Sequence, residues 1–191
     1  AKVSGRLMNF RDFGKIAFGV LQDSKGKIQL TIQQDETPKK ISDFLKKFVD
    51  VGDIIGVEGK IHRTEKGELS ILVDKLNLLS KSIRPLPEKW HGLQDKEERY
   101  RKRYLDLIMS PEVKKVFETR EKIIETIRSL LKEKEFIEVE TPALQSIYGG
   151  ASAAPFTTHL NALNIDLYLS ISPELYLKRL LVGGFPKVYE L

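Results

Sequence analysis

The sequence predicts an α+β chain that opens with a small five-stranded β-barrel, and three observations carry that expectation. Residues 1–80 hold five short apolar runs of strand character, with one helical run between the third and the fourth. Residues 81–95 lack periodicity and contain Pro85, Pro87 and Gly92, so they read as a linker. Beyond them, residues 96–191 hold a long stripe of apolar residues at helical spacing, followed by shorter strands and a further helix.

The first strands are Lys2–Met8, Ile16–Leu21 and Lys27–Gln33, separated by Arg11-Asp12-Phe13-Gly14 and by Asp23-Ser24-Lys25-Gly26, both turn-forming runs. Pro38 starts a helix in which Ile41, Phe44, Leu45 and Phe48 share one face, and Val51-Gly52-Asp53 stops it. Strands Ile54–Ile61 and Leu69–Leu78 follow, joined by a hairpin loop at Arg63–Gly67. Three strands, a helix and two strands in about 80 residues is the order of an OB-fold barrel, which hides its edges and offers one strand face to an oligonucleotide.

Arg11 in the first loop, Phe18 on the second strand and Gln29 on the third are chemically apt for that face. An aromatic ring stacks on an unpaired base, while guanidinium and amide groups meet base edges or phosphate. Taken singly, each also has an ordinary structural reading: a core Phe, a solvated loop Arg, an outward strand Gln.

Composition narrows the function classes. The chain is 41% hydrophobic and 31% charged, as soluble globular proteins are, and has no apolar run approaching a membrane span or signal-peptide pattern. No membrane partner is expected, and with no cysteine a reducing cytoplasm is compatible. His62, His91 and His159 lie too far apart in sequence for a zinc spacing, so no metal site is expected. Net charge is +5 with pI ≈ 9.2, and residues 1–80 carry 14 basic against 11 acidic side chains. Such a balance permits a nucleic-acid partner but leaves discrimination to particular side chains.

In the second half Asp95 caps a helix whose first turn holds Glu97 and Glu98. Ser110-Pro111-Glu112 starts another, with Val113, Val116, Phe117, Ile123, Ile124, Ile127, Leu130 and Leu131 as a broad apolar stripe ending near Lys132–Lys134. Phe136–Pro142 reads as a strand. In the run Tyr148–Phe156 the small residues allow backbone to approach a ligand, and no P-loop frame fits. Leu167–Ile171 is a strand, Ser172-Pro173-Glu174 opens a helix to Val182, and Lys187–Leu191 begins a last strand.

These motifs resemble the class IIb aminoacyl-tRNA synthetases, and the lysyl-tRNA synthetase family in particular. GRLMNFRDFGKIAFGVLQDSKGKIQLTIQQD is similar to their anticodon-binding OB domain, RPLPEKWHGLQDKEERYRKRYLDLI to their domain junction, and Tyr148–Phe156 and SPELYLKRL to their amino-acid pocket. The resemblance covers essentially the whole chain. It implies an OB-fold anticodon-binding domain at 1–80, a linker at 81–95, and at 96–191 the first part of a class II synthetase antiparallel-sheet domain, from motif 1 to the start of motif 2.

It further implies that Arg11, Phe18 and Gln29 read the central U of the anticodon. Gly150 and Glu174 bind the amino group of lysine, and Pro142 marks the motif 1 homodimer interface. Trp90 and His91 either contact tRNA or pack across the domain joint. The implied activity is ATP- and Mg²⁺-dependent lysine–tRNA ligation in the cytoplasm, with lysine, ATP and tRNA(Lys) as partners. The cations that grip ATP and the metal-holding acids fall outside residues 1–191 in this resemblance, so these residues alone are expected to be inactive. The alternative is a noncatalytic tRNA-binding and dimerising fragment.

Overall fold

The computed structural model describes residues 1–87 and 93–191, so the expectations for Trp90 and His91 lie outside the described residues. Two compact units emerge, Ala1–Ser110 and Pro111–Leu191.

In the first unit the strands are β1 (Lys2–Asp12), β2 (Ile16–Gln22), β3 (Lys27–Gln33), β4 (Ile54–Arg63) and β5 (Leu69–Ser80), with helix α1 (Lys39–Phe48) between β3 and β4. They close into a barrel in the order β1-β2-β3-β5-β4, the predicted OB arrangement. β1 pairs antiparallel with both β2 and β4, and a short parallel pairing of β3 with β5 completes the ring. Alternate apolar residues fill the barrel: Ala17 and Leu21 of β2, Leu30 and Ile32 of β3, and Ile71 and Val73 of β5 all enter the buried core.

β1 runs four residues past its expected end at Met8. A bulge between Leu7 and Asn9 lets it continue along β2 as far as the Asp12–Ala17 pair. Helix α1 plugs the core with Leu45, supported by Ile41 and Phe44. Phe48, expected on the same buried face, is 58% exposed. It is the last helical residue, at the edge of that face, and its ring leans on Phe44 at 5.5 Å instead.

One buried carboxylate ties the end of β5 to the turn before β4. Asp53 has no exposed surface. It accepts from Asp50 N (2.8 Å), Ser82 N (2.7 Å) and Lys81 Nζ (2.8 Å). Burial alone would push this carboxyl upward, but those donors outweigh it and hold it below the ordinary carboxylate value. Helices α2 (Lys96–Arg101) and α3 (Arg103–Met109) end the unit. Asp95 Oδ1 accepts from Glu98 N at 2.7 Å, the predicted cap. Asp106, also buried, is clamped by Arg99 Nε (3.0 Å) and Arg103 Nη1 (2.6 Å).

The second unit contains α4 (Pro111–Glu133), β6 (Ile137–Glu138), β7 (Leu144–Gln145), β8 (Thr157–Leu160), β9 (Ile165–Leu169), α5 (Glu174–Val182) and β10 (Val188–Tyr189). β7, β9 and β8 form an antiparallel three-stranded sheet, whereas β6 and β10 pair in parallel. The strand expected over Phe136–Pro142 contracts to Ile137–Glu138, the two residues that β10 pairs with. The strand expected at Leu167–Ile171 shifts to Ile165–Leu169. A tight turn, with Leu163 N donating to Leu160 O and Asn164 at φ 52°, joins it to β8 as a hairpin. Among the described residues no helix is long and apolar enough to cross a membrane.

Candidate base-reading face and ammonium pocket

The bulge in β1 decides which side chains share the barrel's outer face. Leu7 is in the core, so unbroken alternation would point Arg11 inward as well. The extra residue resets the parity: Phe10 packs on the core and Arg11 lies directly opposite Phe18 of β2. This corrects the expected position of Arg11, which is a strand residue and not a loop residue, because β1 continues to Asp12.

Phe18 faces Arg11 on one side and Thr31 of β3 on the other, and Gln29 lies one step along β3, opposite Val20. The three residues singled out by sequence therefore stand on three adjacent strands of one face. Phe18 is half-buried and Arg11 exposed. Gln29 Nε2 donates to Ser70 Oγ at 2.9 Å, across the parallel β3–β5 pairing that aligns these two residues. Ser70 and Thr31 are buried, and His62 of β4, paired with Ser70, brings Nε2 to 3.5 Å from Thr31 Oγ1.

Sequence reasoning missed Ser70, Thr31 and His62. Their place beside Gln29 depends on a parallel register between strands that are not adjacent in the chain. It also assigned no role to Phe13, whose ring meets Phe18 edge-on with centroids 6.2 Å apart. The neighbouring Asp12 is paired with Lys46 of α1, which, with the Gly14 N–H, keeps its carboxyl below the ordinary value. A ring flanked by a guanidinium and an anchored amide is suited to stack one unpaired base and bond its edge.

In the second unit Gly150 and Glu174 come together. Gly150 adopts φ +86°, and a Cβ there would lie 3.1 Å from Glu174 Cβ and 3.1 Å from Ser172 Oγ. Glycine is needed on both counts. Its backbone thus runs against the first turn of α5, where Glu174 N donates to Ser172 Oγ at 3.3 Å. The Glu174 carboxylate already binds one ammonium, Lys178 Nζ at 2.5 Å, and remains 46% exposed. The chemistry of this spot is therefore that of a half-exposed carboxylate presented to a cation beside glycine backbone.

Pro142 is linked to the same turn. Buried Gln145 donates from Nε2 to Pro142 O (3.1 Å) and to Ser170 Oγ (3.0 Å), and Ser170 Oγ donates to Ser172 O (3.2 Å). Nearby segments are pinned by carboxylates that sequence reasoning also missed. Glu190 accepts from Thr141 N and Thr141 Oγ1, both at 2.8 Å. Glu138 takes a forked contact from Arg128 and a bond from Tyr189 OH at 3.1 Å. The guanidinium is the main reason the Glu138 carboxyl stays low, while desolvation and then Glu138 raise the Tyr189 phenol. The apolar stripe of α4 is largely uncovered in this unit, with Val116 66% and Ile123 55% exposed. Among the described residues no three acidic or imidazole groups converge to hold a metal ion.

Comparison with known proteins matches residues 1–79 to the OB-fold nucleic acid binding domain of the anticodon-binding type. Residues 95–191 match the class II tRNA synthetases (D, K and N). Similar relatives, each named a lysine–tRNA ligase, occur in Moorella thermoacetica (57% identical, 99% of this chain), Magnetococcus marinus (52%, 100%) and Aquifex aeolicus (53%, 99%). This chain spans 38%, 38% and 32% of their respective lengths.

Proposed function

Because this chain belongs to the class II tRNA synthetases of the D, K and N group, we propose that it supplies the anticodon-reading module and the amino-group pocket of a lysine–tRNA ligase. Lysine is favoured over aspartate and asparagine because the relatives matched across the chain at 52–57% identity carry the lysine name. The observation that carries the nucleic-acid half is the cross-strand pairing of Arg11 with Phe18, with Gln29 beside them on the same barrel face. We assign residues 1–80 to the anticodon domain, 81–95 to the linker and 96–191 to the first part of the catalytic domain.

In this reading Phe18 stacks the central anticodon base while Arg11 and Gln29 bond its edge or adjacent phosphate. Glu174 and the backbone at Gly150 hold the α-ammonium of lysine, which fixes the substrate's orientation before its carboxylate is activated. In this reading the lysine carboxylate attacks the α-phosphorus of ATP and displaces pyrophosphate, and a terminal ribose hydroxyl of tRNA(Lys) then attacks the carbonyl of the adenylate and displaces AMP. Among the described residues no three acidic or imidazole side chains gather to hold Mg²⁺. The exposed stripe of α4, followed by Pro142, supports a homodimer interface, and the proposed compartment is the cytoplasm.

The test is lysine-dependent ATP–pyrophosphate exchange by a protein that carries this chain together with the further length of its relatives, with aspartate and asparagine as controls. Exchange with lysine alone is expected. Exchange with aspartate in its place overturns the lysine assignment. In parallel, Phe18→Ala is expected to weaken tRNA binding by about 1–3 kcal/mol, the scale of base–aromatic stacking. Loss of exchange with tRNA binding retained points to the noncatalytic reading.

A further inference from the structure

We propose that Phe13 is a second base-stacking surface, taking a nucleotide next to the one on Phe18; the proposal rests on the anticodon reading above. Phe13 is 65% exposed and contributes nothing to the barrel core. An aromatic ring so exposed is poorly explained by packing, but its place beside Phe18 gives it a use.

The loop that presents the ring is held on every side. Phe13 N donates to Ile16 O (2.9 Å) and Gly14 N to Asp12 Oδ1 (2.9 Å). Lys46 Nζ reaches across from α1 to Asp12 Oδ2 (2.8 Å) and Gly14 O (3.3 Å). Gly14 supplies the φ of +85° that the turn requires. A ligand stacking on Phe13 therefore meets a preformed tip, and little ordering entropy is lost on binding.

Ring orientation assigns two bases and not one. The planes of Phe13 and Phe18 are inclined at 66°, so no single flat base lies against both. A strand crossing this face must splay successive bases onto separate platforms, which is how single-stranded RNA is commonly held. Stacking on Phe13 offers no hydrogen-bond edge, so it contributes affinity without reading identity. Arg11, Phe18 and Gln29 remain the discriminating set.

The test uses the full chain and a stem-loop RNA bearing the lysine anticodon loop, with 5-iodouridine placed in turn at the central position and at each neighbour. Trypsin cleaves after Arg11, Lys15 and Lys25, so Phe13 and Phe18 fall in separate peptides, 12–15 and 16–25. Ultraviolet crosslinking is expected to join a neighbouring base to peptide 12–15 and the central base to peptide 16–25. Phe13→Ala is expected to weaken binding roughly 5-fold or more whichever base occupies that neighbouring position, with Phe13→Trp restoring it. Its thermal midpoint is expected to be unchanged, since the ring is exposed. If Phe18→Ala weakens binding while Phe13→Ala stays within about twofold and no neighbour labels peptide 12–15, Phe13 is a bystander and the base-reading face stands. If neither substitution changes affinity, the base-reading face is misassigned and this inference falls with it.

Discussion

At the scale of residues, the chemistry of the proposed base-reading face depends on groups behind it. Ser70 is fully buried and accepts the Gln29 amide, so it fixes which atoms of that amide are offered to a ligand. Ser70→Ala is expected to lower the preference for a central uridine over a central cytidine by about 0.5–1.5 kcal/mol, the worth of one hydrogen bond. Stacking on Phe18 should be retained, so affinity for the wrong base should change little; titrating both stem-loops separates the two effects. Residue types were largely legible in the sequence, and residue partners were not. Arg11, Phe18 and Gln29 were visible as a spaced set. Ser70 and Phe13 were not, because one is defined by a parallel register and the other by a ring contact across a turn. Gly150 and Glu174 were paired only through resemblance, and the +86° turn that lets them touch is a structural observation.

At the scale of elements, period-two alternation and helix-start residues located most strands and helices. What they did not locate depends on pairing. The bulge near Met8 leaves no mark in hydrophobic pattern, since Leu7 and Phe10 are both apolar, yet it turns Arg11 outward. The contraction of Phe136–Pro142 to two strand residues likewise follows from how little of β10 faces it. The junction of β5 with the turn before β4 makes a prediction of its own. Asp53 is held below the ordinary carboxylate value, so the stability it contributes is complete above about pH 4 and is lost as pH falls through its folded value. Asp53→Asn is expected to cost the barrel unit roughly 2–4 kcal/mol at neutral pH, since an amide keeps one acceptor oxygen but sets its NH2 against the donors on the other side, either Ser82 N–H or Asp50 N–H with Lys81, and gives up the charge that pairs with Lys81. It should also flatten the acid limb of the unfolding curve, which chemical denaturation at pH 7, 4 and 3 measures directly.

At the scale of the whole chain, burial is unevenly shared. Among the described residues the core cluster draws on the barrel strands, α1 and Val49 at its C-terminal cap, from Leu7 to Leu76. In Pro111–Leu191 only Val113 and Gln145 fall in the buried class. Hydrogen exchange on this chain should therefore find slow amides in β1–β5 and much faster ones in β6–β10, because protection follows buried contacts. Equal protection in both units would contradict that ranking. The Asp53 contact has a further consequence, in the order of synthesis. A ribosome delivers Asp53 long before Lys81 and Ser82, the donors that offset its burial. Until those two residues emerge, closing the barrel would strand a carboxylate with only the Asp50 N–H for company, a costly state. Closure during synthesis is therefore expected only once Lys81 and Ser82 have followed β5 out, so an arrested chain exposing residues 1–80 should be cut by protease faster than one exposing 1–84.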